Sequence, residues 1–309
     1  MRRNPRPLPE PDVVEKALTA ARPSNDPPQL ALVGADFSVQ PEPERSALFD
    51  AARAAVRSGR ASSLRLQVSP NAVLRASMRF WRVSGVSSVE VLGWSIEQAA
   101  LRRMGIPWNG ERVLDALRAL DGAGIVPGVH IIVDEIDLPP QDFAQSLRAA
   151  GAQFVRLFPR LVLEGQEHRS TLSLNDAIEV SAKLCDALDE VGVKVARIGM
   201  QPMIDLVETP RVAGGPHHPA LRSLVESQRW KRRVRAELAR LGCVGGSWQV
   251  FINPADETSL RGHHNQTIPE LRKRFRLRNL DVRTDPLLPR AALVVRPAGA
   301  TFQEMQSVQ

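Results

Sequence analysis

The sequence is poor in cysteine and contains no tyrosine among its 309 residues. Its two cysteines, Cys185 and Cys243, lie far apart, so neither a disulfide framework nor a three-thiolate iron–sulfur site can be built from them. Cys185 falls within an amphipathic helical pattern, where a free cysteine is usually a small buried side chain. Cys243 follows Gly242 near a helix end, and we expect it to be more exposed.

Long apolar runs are also missing. No stretch approaches the roughly 18 apolar residues of a membrane span, and the basic, proline-rich start lacks the apolar core of a secretory signal. We therefore expect a cytoplasmic protein without a membrane segment. No Gly-x-Gly-x-x-Gly follows the first predicted strand, which counts against a dinucleotide fold. No Gly-x-Ser-x-Gly elbow supports a serine hydrolase.

The charge of the chain is unevenly distributed. The net charge is +7, but residues 211–309 hold 17 basic and 8 acidic residues, a balance of +9, which leaves −2 for the rest. A basic segment of this kind favours a polyanionic partner such as nucleic acid.

Short apolar runs alternate with amphipathic helical patterns through most of the sequence. The predicted strands lie near Leu30–Val33, Ser63–Val68, Ser88–Leu92, Val126–Val133, Phe154–Phe158 and Lys194–Ile198. The predicted helices lie near Asp12–Ala21, Glu44–Arg57, Asn71–Val83, Asn109–Asp121, Gln141–Ala150 and Leu174–Val191. This alternation predicts βα units and a parallel sheet covered on both faces. A partly closed barrel and a doubly wound open sheet both fit.

The pattern changes after Pro210, and we predict a division into residues 1–210 and 211–309. The second part is predicted to be a small α+β appendage that follows a long helix. Its elements are a helix near His218–Leu241, strands near Trp248–Ile252, Leu280–Arg283 and Ala292–Val295, and a helix near Ile268–Phe275.

Two groups of basic residues in this second part are candidates for binding nucleic acid. The first recurs at spacings of 7, 4 and 7, which places its members on one helical face: Arg222, Arg229, Arg233 and Arg240. Glu226 and Glu237 lie close enough along the helix to weaken that stripe by ion pairing. The second group has fewer acidic neighbours and consists of Arg261, His263, Arg272, Lys273 and Arg274.

Other polar clusters carry weaker signals. The pairs His217–His218 and His263–His264 have no cysteine or carboxylate at a recognisable ligand spacing, so we predict no metal site. Asp134, Glu135 and Asp137 follow a predicted strand and could act as acid and base. A solvated loop is the favoured interpretation, and we assign no catalytic residue.

Several segments, taken in order, resemble a bacterial radical SAM family related to the catalytic subunit of Elongator. They are Ala31–Ser38, Phe154–Gln166, Arg197–Pro202, Gly215–Pro219, Ile252–Asp256 and Arg261–His264. The resemblance covers nearly the full length. It implies an α/β fold in which a partial (βα) TIM-like barrel of radical SAM type precedes the small C-terminal appendage.

The resemblance also implies a cofactor site that this sequence does not complete. The family holds a 4Fe–4S cluster with the three cysteines of a Cys-x-x-x-Cys-x-x-Cys loop and binds S-adenosylmethionine (SAM) to it. This chain has no such trio, and we expect the family's first strand and cluster loop to be missing. By resemblance, a remnant SAM pocket is formed by Gly34, Asp36, Trp94, Arg156 and Gln201.

We therefore predict a non-catalytic protein without a cofactor, which binds RNA or tRNA through its basic C-terminal region, or a protein partner that covers the open edge of the barrel. The alternative is an active radical SAM enzyme, possibly RNA-modifying. Its 4Fe–4S cluster would then depend on a segment missing from this chain or supplied by a partner, with SAM as cosubstrate.

Overall fold

The first part of the chain is built on a six-stranded parallel sheet. A computed structural model describes residues 10–21, 25–33, 44–134, 137–163, 171–200 and 212–299. The strands of this part are β1 (Gln29–Leu32), β2 (Ser63–Val68), β3 (Val86–Trp94), β4 (Val126–Val133), β5 (Phe154–Pro159), β6 (Val162–Leu163), β7 (Lys194–Ile198) and β8 (Val212–Gly214). The sheet has the order β1-β2-β3-β4-β5-β7 and curls into a half barrel, while β6 and β8 form a separate antiparallel ribbon. All six predicted strands are confirmed.

Helices connect the strands, as parallel pairing requires. They are α1 (Asp12–Ala20), α2 (Glu44–Arg57), α3 (Pro70–Arg75), α4 (Met78–Val83), α5 (Gln98–Met104), α6 (Gly110–Gly122), α7 (Pro140–Ala149) and α8 (Leu174–Glu190). The single helix predicted over 71–83 is two helices, because Ala76 and Ser77 are extended. The Ser77 hydroxyl caps α4 by accepting a hydrogen bond from the Phe80 amide at 3.3 Å.

Alternate strand residues pack against these helices to form the larger core. Leu66 of β2, Val129 of β4 and Leu157 of β5 are buried in one cluster with Leu117 of α6 and Phe143 of α7. Burial of each large side chain contributes about 1.5–3 kcal/mol. The described helices therefore bury one face of the sheet.

The opposite face of the sheet is polar. Its residues alternate with the core residues and include Arg65, Gln67, Glu90, His130 and Arg156. The sequence predicted a sheet covered on both faces, and the described helices cover one of them. The concave interior of the half barrel is lined by charged and amide side chains.

The C-terminal part has its own core. It comprises α9 (Leu221–Arg240), β9 (Ser247–Ile252), α10 (Glu257–Arg261), α11 (Thr267–Phe275), β10 (Asn279–Thr284) and β11 (Leu293–Pro297). Strand β9 lies between β10, which is parallel to it, and β11, which is antiparallel. The long helix, three strands and intervening helix predicted from sequence are all present.

Helix α9 contributes to both cores. Leu221 and Val225 pack in the larger cluster, whereas Trp230, Val234 and Leu238 pack in the C-terminal one. The long helix therefore links the half barrel to the three-stranded sheet. None of the described helices combines the length and apolar character that crossing a membrane requires.

The backbone of Ile96 lies so close to Gly110, at the start of α6, that a side chain does not fit there. A Cβ atom added there would lie 1.7 Å from the Ile96 carbonyl oxygen, which belongs to the backbone and cannot rotate away. Gly122, at the end of the same helix, has no atom within 4 Å of its added Cβ. We predict that Gly110→Ala lowers the free energy of unfolding by about 2–3 kcal/mol or more. Gly122→Ala should raise it by about 0.5–1 kcal/mol.

Chemical denaturation of the two variants, followed by circular dichroism, checks this expectation. Equal stability of the two variants would contradict the packing of α6 against the segment that follows β3.

Candidate functional site

The strand register aligns polar residues across the interior of the half barrel. Gln67 of β2 pairs with Glu90 of β3, and His130 of β4 pairs with Arg156 of β5. Arg156 in turn pairs with Arg197 of β7. Because side chains alternate along a strand, these residues share one face. Five neighbouring strands thus each present a polar side chain to the same interior.

Glu90 is the centre of this cluster. Its side chain is 1% exposed, and its Oε1 accepts a hydrogen bond from Arg65 Nη1 at 3.1 Å and forms an ion pair with Arg156 Nη2 at 2.8 Å. Its Oε2 lies 2.5 Å from His130 Nε2. A buried carboxylate needs such partners, because an unpaired charge in this position would cost several kcal/mol.

The neighbours of Glu90 are themselves held in place. Gln67 Nε2 lies within hydrogen-bonding distance of both His130 ring nitrogens, 3.0 Å from Nδ1 and 3.2 Å from Nε2. Arg65 also donates to Gln29 Oε1, from Nε at 2.8 Å and from Nη2. Gln29 then donates to the hydroxyls of Ser63 and Ser87, both at 3.1 Å. The cluster is a connected network across β1 to β5.

This environment keeps Glu90 ionised. Burial raises the pKa of Glu90, but the hydrogen bond and charge of His130, together with Arg156 and Arg65, outweigh burial and lower the pKa below its ordinary value. Glu90 therefore carries a negative charge at neutral pH.

Aromatic rings lie beside the network. The Trp94 indole is 6.2 Å from the His130 ring in an edge-on arrangement, and the Phe158 ring is 5.0 Å away from it. Trp94 has a φ of 65°, an unusual conformation for a large residue, at an irregularity between β3 and β4. Two residues of the predicted remnant pocket, Trp94 and Arg156, thus lie in this interior.

The other three residues of that predicted pocket, Gly34, Asp36 and Gln201, lie outside the described residues. Sequence reasoning missed Glu90 and His130, which are the most buried polar members of the cluster. Their signal was the alternation of polar with apolar residues inside strands predicted to be fully buried.

The acidic residues that follow β4 have structural roles. Asp134 is buried and ion-paired with Arg160, so the solvated-loop interpretation is wrong for this residue. Asp137 is exposed and lies 3.7 Å from Arg103, whereas Glu135 is outside the described ranges. Glu97 accepts hydrogen bonds at 3.0 Å from the amides of Asp137 and Leu138. The described carboxylates at this strand end therefore anchor a loop.

The two cysteines do not fit an iron–sulfur cluster. Cys185 is buried in the larger core, as predicted, and Cys243 is buried in the C-terminal core, so the expected exposure of Cys243 is wrong. Burial raises the pKa of Cys185 to about 12 and also raises the pKa of Cys243. Both thiols are therefore protonated and lie in separate cores, whereas a cluster needs three neighbouring thiolates. The described residues contain no group of three or more metal-ligating side chains.

The predicted arginine stripe of α9 is used for packing. Arg229 is buried and binds Asp186 at 2.7 Å and Asp189, both on α8, and Glu226 at 3.2 Å. Burial lowers the pKa of Arg229, but these carboxylates have the larger effect, so the pKa lies above its ordinary value. The Arg229 guanidinium is therefore already neutralised within the protein, mainly by α8.

The other arginines of that stripe also have partners. Arg233 lies 3.6 Å from Asp186 and over the Trp230 ring, and Arg240 binds Glu237 at 2.7 Å. Arg222 donates to the Ala196 carbonyl at 3.5 Å. The face of α9 that sequence reasoning assigned to RNA is therefore largely turned to intramolecular contacts.

The second basic group lies on the surface around α11. Arg272, Lys273 and Arg274 are exposed, and within the described ranges no carboxylate pairs with any of them. Arg272 donates to the Arg278 carbonyl at 3.0 Å. Arg261 binds Glu257 at 2.7 Å, whereas His263 is exposed and stacks near His264.

An open cleft of about 720 Å³ lies between α9 and α11. Arg232, Arg235, Arg274 and Phe275 line it, together with small alanine side chains of α9. Arg232 is paired with Glu179 at 2.6 Å, but Arg235 and Arg274 have no carboxylate partner among the residues that the structure describes. The cleft thus combines two available guanidiniums with an aromatic ring.

The ionised state of Glu90 leads to a pH-dependent prediction. Replacing Glu90 by Gln should lower the free energy of unfolding by about 2–4 kcal/mol at neutral pH, because Arg65 and Arg156 lose their shared carboxylate. The lowered pKa means that the wild-type advantage is complete above the ordinary glutamate pKa of about 4.3 and disappears as the pH falls through the lower folded-state pKa.

Denaturant titrations from neutral pH to about pH 3 measure this difference. Glu111→Gln, which alters an exposed ion pair with Arg118, is the control and should change stability little. Equal stability of Glu90→Gln and the wild type at neutral pH would show that the ion pairs of Glu90 do not stabilise the fold, contrary to this prediction.

Comparisons with known proteins bear on the fold. No protein-family model matches the sequence, and no curated protein is significantly similar to it. The chain is similar to the structure of an archaeal Elp3 from Methanocaldococcus infernus that carries an N-terminal deletion, with 16% sequence identity and a TM-score of 0.53. The match covers 76% of this chain and 60% of the Elp3 chain. The chain thus spans less than two thirds of the length of that protein.

Two weaker similarities are to a radical SAM enzyme from Escherichia coli and to a protein from Streptococcus suis. Coproporphyrinogen III oxidase (HemN) from Escherichia coli is 14% identical over 53% of this chain and 40% of its own, with a TM-score of 0.42. SuiB from Streptococcus suis, bound to SAM, is 8% identical over 66% of this chain and 46% of its own, with a TM-score of 0.46.

At these identities the similarity concerns the fold. The Elp3 match confirms the predicted fold class, an α/β fold with a partial parallel barrel.

Proposed function

We propose that this protein is a non-catalytic member of the radical SAM fold that binds RNA through a basic surface formed by α9 and α11. The observation that carries the proposal is the cleft in which Arg235 and Arg274 lack carboxylate partners beside Phe275. Grooves that combine positive charge with an aromatic ring are typical of proteins that bind single-stranded nucleic acid.

The surrounding charge supports this assignment. Lys273, Arg276 and Arg278 are exposed near the cleft, on α11 and the segment that leads to β10. Most arginines of α9 are balanced by acidic residues of α8 and α9, whereas this surface has an excess of positive charge. Several phosphates along one strand could therefore be contacted together.

The state of the two cysteines supports the proposal that the protein is non-catalytic. The sequence supplies two thiols, both buried and protonated, so these residues cannot hold a radical SAM cluster. The interior that faces such a cluster in the fold is filled by the Glu90 network and flanked by Trp94.

The alternative function is that of a radical SAM enzyme whose three thiolates come from a segment outside these residues or from a partner. The match covers 60% of the Elp3 chain, so the remainder of that protein has no counterpart in the matched region, which is compatible with this alternative. It predicts that cluster formation requires additional polypeptide, whereas RNA binding by the basic surface does not.

RNA binding can be tested by replacing Arg235 and Arg274 together with glutamine. We predict that affinity for a single-stranded RNA oligonucleotide falls about tenfold or more, since two phosphate contacts are lost. The slope of log K against log salt should fall by about 1.4, because each contact with a single strand contributes about 0.7. Fluorescence anisotropy at several salt concentrations measures both quantities.

The control is the double variant Arg118→Gln/Arg148→Gln, which removes the same charge from exposed positions on α6 and α7. Its RNA affinity should match that of the wild type. No RNA binding, or an equal loss in both double variants, would contradict the proposal. A co-purifying protein in place of RNA would favour the protein-partner hypothesis. The same preparation, reconstituted anaerobically with iron and sulfide, should hold no 4Fe–4S cluster.

A further inference from the structure

A second cavity lies beside the basic cleft, where the start of α8, the first half of α9 and the loop before α11 meet. Its volume is about 410 Å³. Gln228 and Lys231 of α9 line it, together with Thr267 and Glu270 of α11. The basic cleft is lined by residues of the same two helices.

The cavity and the cleft are neighbours along both helices. On α9, Lys231 of the cavity is followed four residues later by Arg235 of the cleft. On α11, Glu270 of the cavity is followed four residues later by Arg274 of the cleft. Residues four apart lie on the same face of a helix, about one turn from each other. The two spaces are therefore successive parts of one groove between α9 and α11.

The cavity differs from the cleft in its charge. Lys231 and Glu270 line it and form an ion pair with each other. No other lysine, arginine, aspartate or glutamate lines the cavity in the part of the chain that the structure describes. Ile178 of α8 and Leu224 of α9 add half-buried apolar surface. Because phosphate binding relies on positive charge, this lining suits an uncharged group better than a phosphate.

Three hydrogen-bonding side chains of the lining have no partner within the described ranges. Thr267 is 5% exposed, and its hydroxyl makes no hydrogen bond with any described residue. The amides of Asn175 and Gln266 are exposed and likewise unpaired with other described side chains. Buried polar groups in native proteins nearly always have a partner, so the Thr267 hydroxyl indicates one that is not part of the chain.

We propose that this cavity binds an unpaired nucleobase of the RNA strand whose phosphates contact the neighbouring cleft. This site rests on the RNA binding proposed above and adds a contact that depends on the base. A nucleobase is uncharged and flat, and its edge carries donors and acceptors that match amide and hydroxyl groups. His263 is exposed and lines the cavity, so its ring offers a surface on which the base can stack.

The class of RNA follows from this site. The hydrogen-bonding edge of a base in a duplex is occupied by its complement, so only an unpaired base can enter. The affinity should therefore depend on the bases of a single strand. Phosphate contacts in the cleft carry no such dependence.

The test compares four short labelled RNAs by fluorescence anisotropy: oligo(A), oligo(C), oligo(U) and an alternating U–G sequence. We expect the tightest to bind at least about fivefold more strongly than the weakest, the range that one or two net hydrogen bonds supply. The variant Thr267→Val/Gln266→Ala should abolish most of this preference. It should leave the salt slope unchanged, because no phosphate contact is lost. Since neither side chain has a partner among the described residues, its thermal unfolding should match that of the wild type.

Two further variants separate this site from the cleft. Arg235→Gln/Arg274→Gln should weaken the binding of all four RNAs together and keep their order. Thr19→Val/Gln153→Ala removes the same groups from exposed positions of the half barrel and should change neither affinity nor preference. Equal affinities for the four RNAs, or a preference that survives in the cavity variant, would overturn the nucleobase site and leave the proposed function standing. If none of the RNAs binds, the proposed function fails, and the nucleobase site fails with it.

Discussion

A single buried carboxylate determines how the inside of this half barrel is organised. Glu90 accepts a hydrogen bond from Arg65, forms an ion pair with Arg156 and contacts His130, so it joins β2, β3, β4 and β5 through their side chains as well as their backbones. Such a cluster loses much of its Coulomb energy to desolvation, and its value lies in fixing one arrangement of the strands. Trp94 lies beside this cluster, with its ring centroid 6.2 Å from that of His130.

The two faces of the sheet differ in composition. The outer face is apolar, and helices bury its residues Leu66, Val129 and Leu157. The inner face is polar, and its side chains bind one another around Glu90. In the function proposed above, RNA contacts the basic surface near α11 and not this interior.

Sequence patterns predicted the strands, most helices and the C-terminal appendage, because these depend on local periodicity. They did not predict Glu90 and His130, since nothing local shows that two polar residues from different strands will meet. Arg229 was assigned to RNA because the helical stripe is visible in the sequence, whereas its partners on α8 are not. Cys243 was expected to be exposed because it follows the end of a helix. The sequence does not show that the C-terminal core covers this position.

The charge state of Glu90 is the most direct test of this account, and carbon-13 NMR of the labelled Glu90 carboxyl group can follow it during a pH titration. The account predicts that the carboxyl takes up its proton only at a pH below the ordinary glutamate pKa. A Glu90 carboxyl that is protonated near neutral pH, as burial without ion pairing would produce, would contradict it.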